Sequence, residues 1–200
     1  MNANMKTLRS GKTAAAVHAA AELSEEAAAF LKAGRPPRDY VETLIRNELY
    51  DDAVGFVAHV LAPRESVWWA WSCARDAAGQ KPPAGVAAVL EAVRRWIVEP
   101  SDENRRAAGE AAEAIEYEFP AGMAGLAAFM CGDTLGPADA PPAPPPPGAA
   151  AQAIAGCICM AAAAGDPADI GARFKLFIAR GMERADKGMV WAPDEGAAGS

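Results

Sequence analysis

The chain has 200 residues, a formal net charge of −7 and a pI of about 4.9, and 52% of its residues are hydrophobic. Alanine supplies 50 residues, whereas Leu, Ile, Val and Phe together number 34. Alanine is the best helix former and is depleted in strands, so the composition argues against an all-β fold. The acidic balance argues against a nucleic-acid partner, which would need a basic surface.

Residues 1–35 are predicted to form a polar tail followed by an alanine-rich helix over 13–33, which Gly34 ends. The apolar stretch after the basic tail has almost no bulky aliphatic residues, so it makes a poor secretion signal. Ser10-Gly11-Lys12-Thr13 copies the end of a phosphate-binding loop, GxxxxGK[ST], but Lys6 stands where the first glycine is required. We therefore assign no nucleotide site to this segment.

Residues 36–136 are predicted to form a domain of helical hairpins. Apolar residues recur at helical spacing, and proline-containing turns interrupt them at Pro63 and Lys81-Pro82-Pro83. Ser101 has the character of an N-cap, and Pro120 fits the first turn of a helix. The predicted antiparallel pairs are 38–49 with 51–61, 64–78 with 86–98, and 102–118 with 120–131.

Residues 137–148 have the sequence PADAPPAPPPPG, in which seven of twelve residues are proline. Neither a helix nor a central strand accommodates such a run, so it predicts an extended polyproline connector. A stiff spacer is favoured over a ligand for a proline-binding module, because no basic residues flank the run.

The last hairpin is predicted over residues 149–185, with helices at 149–164 and 167–182 that pack on the same domain. Asp166-Pro167 supplies an N-cap followed by a proline in the first turn. Residues 186–200 are predicted to be a disordered tail. The fold prediction is therefore all-α, with antiparallel hairpins in either a repeat-like stack or an irregular bundle.

No residue set predicts a catalytic, metal or cofactor site. The two histidines exclude a multi-histidine metal site, and a D-x-D-x-D-G calcium loop is absent from the sequence. His59 is expected at the core boundary, and a nucleophilic pair of His59 with Cys73 is the alternative. The four cysteines form no CxxC motif and are expected to be buried, reduced thiols, as suits a cytoplasmic protein. No run is long enough to span a membrane.

Trp68 and Trp69 belong to the densest aromatic feature, on the predicted helix 64–78. Trp68, Trp69 and Trp71 cannot all face one core, so either this helix is buried on two sides or one indole is exposed. Burial on two sides is favoured, whereas an exposed indole would mark a partner surface.

Arg105 and Arg106 are a local basic point in an acidic chain. The purely structural interpretation pairs Arg106 with Glu110, four residues later, on a solvated helix face. The functional interpretation is a contact with an acidic partner. Trp68, Trp69, Arg105 and Arg106 are therefore the candidate protein-interaction residues.

Several stretches together resemble a family of bacterial proteins of unknown function. The resemblance covers about residues 36–188, and its most specific parts are the double tryptophan and Asn104-Arg105-Arg106. It implies a bacterial, cytoplasmic, α-helical protein with an accessory role in secretion, because such proteins are sometimes found near type VI secretion genes. The stretches are Leu49–Val54, Pro63–Ala70, Pro100–Ala108, Pro120–Ala124, the proline run and Gly165–Gly181.

The leading functional hypothesis is a non-enzymatic protein-interaction module: an adaptor, a scaffold or an accessory chaperone. It rests on the missing catalytic set, the hairpin pattern and the surplus of aromatic residues. One alternative is an enzyme or small-molecule binder with a pocket between hairpins. Another is an immunity-type partner of a basic toxin, which would use the acidic surface.

Overall fold

A computed structural model describes residues 13–32, 35–137 and 140–187, and within these ranges the chain is all-α, as predicted. None of the described helices is long and apolar enough to cross a membrane. Residues 1–12 and residues 188–200 of the predicted tail 186–200 lie outside the described residues, as do Gly34 and most of the Ser10–Thr13 stretch.

The described helices follow the predicted order, with shifted ends. A short 3₁₀ turn over Pro167–Asp169 precedes the last of them. The helices are α1 (Ala14–Ala20), α2 (Glu25–Ala29), α3 (Pro37–Arg46), α4 (Tyr50–Val60), α5 (Pro63–Ala78), α6 (Ala84–Val98), α7 (Asp102–Glu113), α8 (Pro120–Phe129), α9 (Ala149–Ala163) and α10 (Ile170–Lys187).

Three predicted helix starts are confirmed. The Ser101 hydroxyl accepts a hydrogen bond from the backbone N–H of Asn104, and Pro120 is the first residue of α8. Asp166 accepts from the N–H of Ala168 and so begins the 3₁₀ turn that leads into α10. Each of these side chains satisfies, or in the case of proline removes, an amide that the first helical turn leaves unpaired.

The single predicted helix over 13–33 is wrong, because the chain turns between α1 and α2. Glu22 has a positive φ of 49°, and Ser24 caps α2. The Ser24 amide and hydroxyl both donate to the carboxylate of Asp52, at 2.8 Å each. This contact with α4 fixes a break that alanine content alone does not reveal.

Two further helix ends differ from the prediction. Helix α7 ends at Glu113, not near residue 118, because Glu116 and Tyr117 adopt positive φ in the turn to α8. Helix α10 continues to Lys187, beyond its predicted end at 182, so residues 186 and 187 of the predicted tail are helical.

The hairpins form an irregular bundle and not a repeat stack. In a stack each unit contacts only its neighbours. Here α5 packs against α6, α8, α9 and α10, and α9 also reaches α4. Helix α5 is therefore enclosed by helices from three different hairpins, which agrees with the favoured prediction that it is buried on two sides.

In each of the last three hairpins, an arginine at the start of one helix bonds carbonyl groups at the end of its partner. Arg64 on α5 donates to the carbonyls of Ile97 and Val98 at the end of α6. Arg105 on α7 donates to Phe129 at the end of α8. Arg173 on α10 donates to Ala162 at the end of α9. These carbonyls have no partner within their own helix and lie at its negative pole, where a cation is stabilising.

Glycine allows the closest helix contacts. A Cβ atom on Gly125 in α8 would lie 2.7 Å from the carbonyl oxygen of Ala108 and 2.8 Å from the Cβ of Ala112, both on α7. The first neighbour is backbone and cannot move aside without shifting the helix. Helices α7 and α8 therefore depend on glycine at this crossing.

We predict that Gly125→Ala destabilises the fold although alanine is the better helix former. The clash should outweigh the helix-propensity gain of about 1 kcal/mol and lower the unfolding free energy by about 1–3 kcal/mol. Thermal denaturation should show a fall of several degrees in Tm. Gly136→Ala is the control, because the nearest atom to a Cβ there is 3.6 Å away. An unchanged or higher Tm for Gly125→Ala would contradict the prediction.

Candidate functional site

A strip of arginine and tryptophan runs along the outer face of α5. Arg64, Trp68, Trp71 and Arg75 recur at i, i+4, i+7 and i+11, which places them within about 60° of one another around the helix axis. Arg64 and both indoles are partly buried, and Arg75 is exposed. We call these four residues the α5 strip.

Trp68 is covered by an arginine from a different helix. The guanidinium carbon of Arg184 on α10 lies 3.5 Å from the centre of the Trp68 ring, which is a close cation–π contact. Burial lowers the pKa of Arg184 from its ordinary value, against the opposing effect of Glu65 and Glu183. The positively charged guanidinium of Arg184 therefore lies against the Trp68 indole, which is only partly buried.

Trp71 is fixed more firmly. Its indole Nε1 donates to the carbonyl oxygen of Leu90 on α6 at 2.8 Å, and Arg75 lies over the ring at 4.8 Å. Trp71 is therefore the rigid part of the strip. Within the described residues, no hydrogen bond holds the indole of Trp68 in place.

Trp69 lies inside the protein, so it does not present its side chain to a partner in this structure. Its indole is fully buried and donates to the carbonyl oxygen of Phe177 on α10 at 2.7 Å. A Cβ on Gly181 would lie 2.7 Å from the ring, so α10 packs directly on it. A helical wheel of α5 places Trp69 near Asp76 and suggests a polar face, but Arg180 of α10 pairs with Asp76 and covers that face.

Arg105 is also inside the fold, with only 3% of its surface exposed. Besides Phe129, its guanidinium donates to the carbonyl oxygen of Thr134 and to the carboxylate of Asp102, at 2.9 and 2.6 Å. The side chain also lies over the Phe129 ring. Arg105 therefore holds the segment after α8 against α7 and offers no surface to a partner here.

Arg106 does not pair with Glu110 as predicted. It bonds Asp102, four residues earlier, and the carbonyl oxygen of Gly136, both at 2.7 Å. The hydrogen bonds from Arg106 first, and then from Arg105, hold the pKa of Asp102 below its ordinary value. The sequence analysis missed these contacts because both arginines bond carbonyls about thirty residues away in sequence, which no local pattern reveals.

The cysteines show no sign of nucleophilic activation. Burial raises the pKa of Cys73 to about 12, although Arg180 partly opposes this effect. His59 bonds the carbonyl oxygen of Gly55 through Nδ1, and no hydrogen bond joins it to Cys73 among the described residues. A His59–Cys73 pair is therefore not formed here. Within the same ranges, no three His, Cys, Asp or Glu side chains are placed to hold a metal ion.

A shallow apolar cleft lies between α3, α4 and the end of α10. Its polar groups are Arg38 and Asp186, which pair across its edge at 2.5 Å and so leave few polar groups for binding a small molecule. Its apolar lining consists of Pro37, Val41, Phe56, Val57, Val60, Met182 and Ala185.

Comparison with known proteins gives one match. A family model described as a family of unknown function, DUF6931, matches residues 40–185. No curated protein and no solved structure matches the chain. The match covers α3 to α10 and so includes the α5 strip and both arginines of α7.

We predict that Arg105→Ala lowers the unfolding free energy by about 2–4 kcal/mol. The change leaves the carbonyls of Phe129 and Thr134 without their donor and removes a buried side chain from between α7 and α8. Chemical denaturation measures the effect. Arg95→Ala is the matched control, because that arginine is 59% exposed and its pair with Glu91 is loose, at 3.7 Å. Equal loss of stability in both variants would refute the buried role.

We also predict that the four thiols resist alkylation in the folded protein. Burial raises their pKa values, to about 11 for Cys131 and about 12 for Cys73 and Cys159, and burial also raises the pKa of Cys157 well above its ordinary value. Iodoacetamide at pH 8 should therefore react at least about a hundredfold more slowly than with the unfolded chain. The raised pKa values also mean that the contribution of the buried neutral thiols to stability is fully present below about pH 8.5 and is lost as the pH rises towards 12. One thiol alkylated at the rate of free cysteine in the folded state would contradict this.

Proposed function

This chain belongs to the DUF6931 family, whose function is unknown, and from that premise we propose that it is a non-enzymatic protein-binding module: an adaptor, a scaffold or an accessory chaperone. The observation that carries the proposal is the partly buried indole of Trp68, stacked against Arg184 on the outer face of α5. Tryptophan and arginine are the residues that most often dominate binding energy at protein interfaces.

The surroundings of Trp68 support an interface. Trp71 beside it is held by a hydrogen bond to α6, so this part of the strip is ordered before a partner arrives. An ordered surface loses little conformational entropy on binding. Helix α5 itself packs against α6, α8, α9 and α10, which fixes the helix that carries the strip.

The charges of the strip favour an acidic partner. Arg75 lies over the Trp71 ring and Arg184 over the Trp68 ring, on a chain whose net charge is −7. A partner segment that places an apolar side chain on Trp68 and carboxylates beside it would match both features. Electrostatic complementarity of this kind speeds association and makes it sensitive to salt.

The wider setting of the proposal is a bacterial cytoplasm, with an accessory role in type VI secretion. Its support is the resemblance of the double tryptophan and Asn-Arg-Arg stretches to bacterial proteins encoded near such genes. The four cysteines, all free in the structure, suit a reducing compartment.

We predict that Trp68→Ala weakens binding of the partner at least tenfold, because the interface loses its apolar anchor. Tagged protein is recovered from the source cells, its co-purifying partner is identified, and the affinity is then measured by calorimetry with purified components. Leu176→Ala is the matched control, because that side chain is 57% exposed on α10 and is not part of the α5 strip. This change should leave the affinity unchanged.

Circular dichroism and Tm distinguish a lost contact from a lost fold in the Trp68 variant. Repeated recovery of the free monomer would count against the whole proposal. A partner that binds Trp68→Ala as tightly as the unaltered chain would place the interface elsewhere.

A further inference from the structure

The connection between α8 and α9 is much longer than its ends require. It spans residues 130–148, whereas about two to eight residues usually join adjacent helices. The two helices pack along each other, and a Cβ on Gly156 of α9 would lie 3.0 Å from the terminal carbon of Met123 of α8. The connection therefore does not hold two units apart, which removes the reason for a stiff spacer.

The proline-rich part of this connection, residues 140–147, is pinned at one residue. We call it the proline strap. The amide of Ala143 donates to the Thr134 hydroxyl at 2.9 Å, and its carbonyl accepts from the amide of Leu135 at 2.7 Å. Arg105 in turn holds the Thr134 carbonyl, so the strap is tied to α7 through the buried arginine.

The prolines on either side of this pin face solvent. The exposed ones are Pro141, Pro142, Pro144, Pro146 and Pro147, and Pro145 is partly buried. Proline fixes φ near −65°, which is close to the polyproline II value, and that helix repeats every three residues. Pro141 and Pro144 therefore share one edge of the strap, as a P-x-x-P pair does.

We propose that the proline strap is a preformed ligand for a polyproline-binding protein module, whose aromatic-lined groove takes the edge that carries Pro141 and Pro144. Such grooves bind proline helices because the ligand is already rigid and has little conformational entropy to lose. The pin at Ala143 adds to this rigidity by fixing the middle of the strap. A loop that only closed a hairpin would need neither the extra length nor a run of exposed prolines.

The partner groove recognises an uncharged ligand. Residues 140–148 contain no Asp, Glu, Lys or Arg. The contacts are therefore ring stacking on proline and hydrogen bonds to proline carbonyls, and binding should barely change with salt. This separates the strap from the α5 strip, whose proposed partner binds through charge.

The test uses the full chain and two purified probes, a WW domain and an EVH1 domain, each ¹⁵N-labelled. Titration with the chain should shift resonances in the aromatic groove of at least one probe, to the same extent at 50 and 300 mM salt. The double variant Pro141→Ala/Pro144→Ala should weaken this binding at least tenfold. Pro83→Ala, another exposed proline, is the matched control and should bind like the unaltered chain.

Two more variants test the details. Thr134→Val removes the hydroxyl that accepts from Ala143 while keeping every proline, and should weaken binding severalfold through lost rigidity. Trp68→Ala should leave strap binding unchanged, so failure of the proposed interface on α5 and failure of this proposal are distinguishable. Shifts in neither probe, or equal binding by the double proline variant, would overturn the proposal.

Discussion

Arginine bonds to helix C-termini are the interaction on which this bundle depends. Alanine-rich helices can approach closely, but they have little side-chain surface with which to hold one another. Arg64, Arg105 and Arg173 supply what is missing: each brings bulk and several donors to carbonyls that would otherwise end unpaired at a helix contact. Because each bond joins the two helices of a hairpin, it fixes their relative position. It also gives a hydrogen-bond donor to a carbonyl at the C-terminus of one helix.

The large residues are concentrated where the alanine surfaces leave space. Trp69 fills the region between α5 and α10, and Gly181 makes room for its ring. Gly125 lets the backbone of α7 approach α8 closely where the two helices cross. The core therefore combines close contacts at glycine and alanine with a few bulky anchors, and the described chain offers a shallow apolar cleft instead of a deep polar one.

Local chemistry predicted the helices and several of their caps, because Ser101, Pro120 and Asp166 act on amides within a few residues. It could not predict the break after α1, which depends on Asp52 in α4. The candidate site shows the same division. A helical wheel showed that the three indoles of α5 cannot all face one core, but only the neighbouring helices decide that Trp69 is enclosed and Trp68 is not. The buried role of Arg105 likewise depends on carbonyls distant in sequence.

The hydrogen bond between Trp69 and the Phe177 carbonyl has a consequence for the order in which the protein is made. Its two residues are 108 positions apart, and α10 is the last of the described helices to be synthesised. Until then the indole of Trp69 and the parts of α4 and α5 that pack against α10 lack this cover, although the first hairpins can already form from local contacts. The nascent chain therefore keeps this apolar surface open to aggregation until α10 has been made and has packed onto α4 and α5.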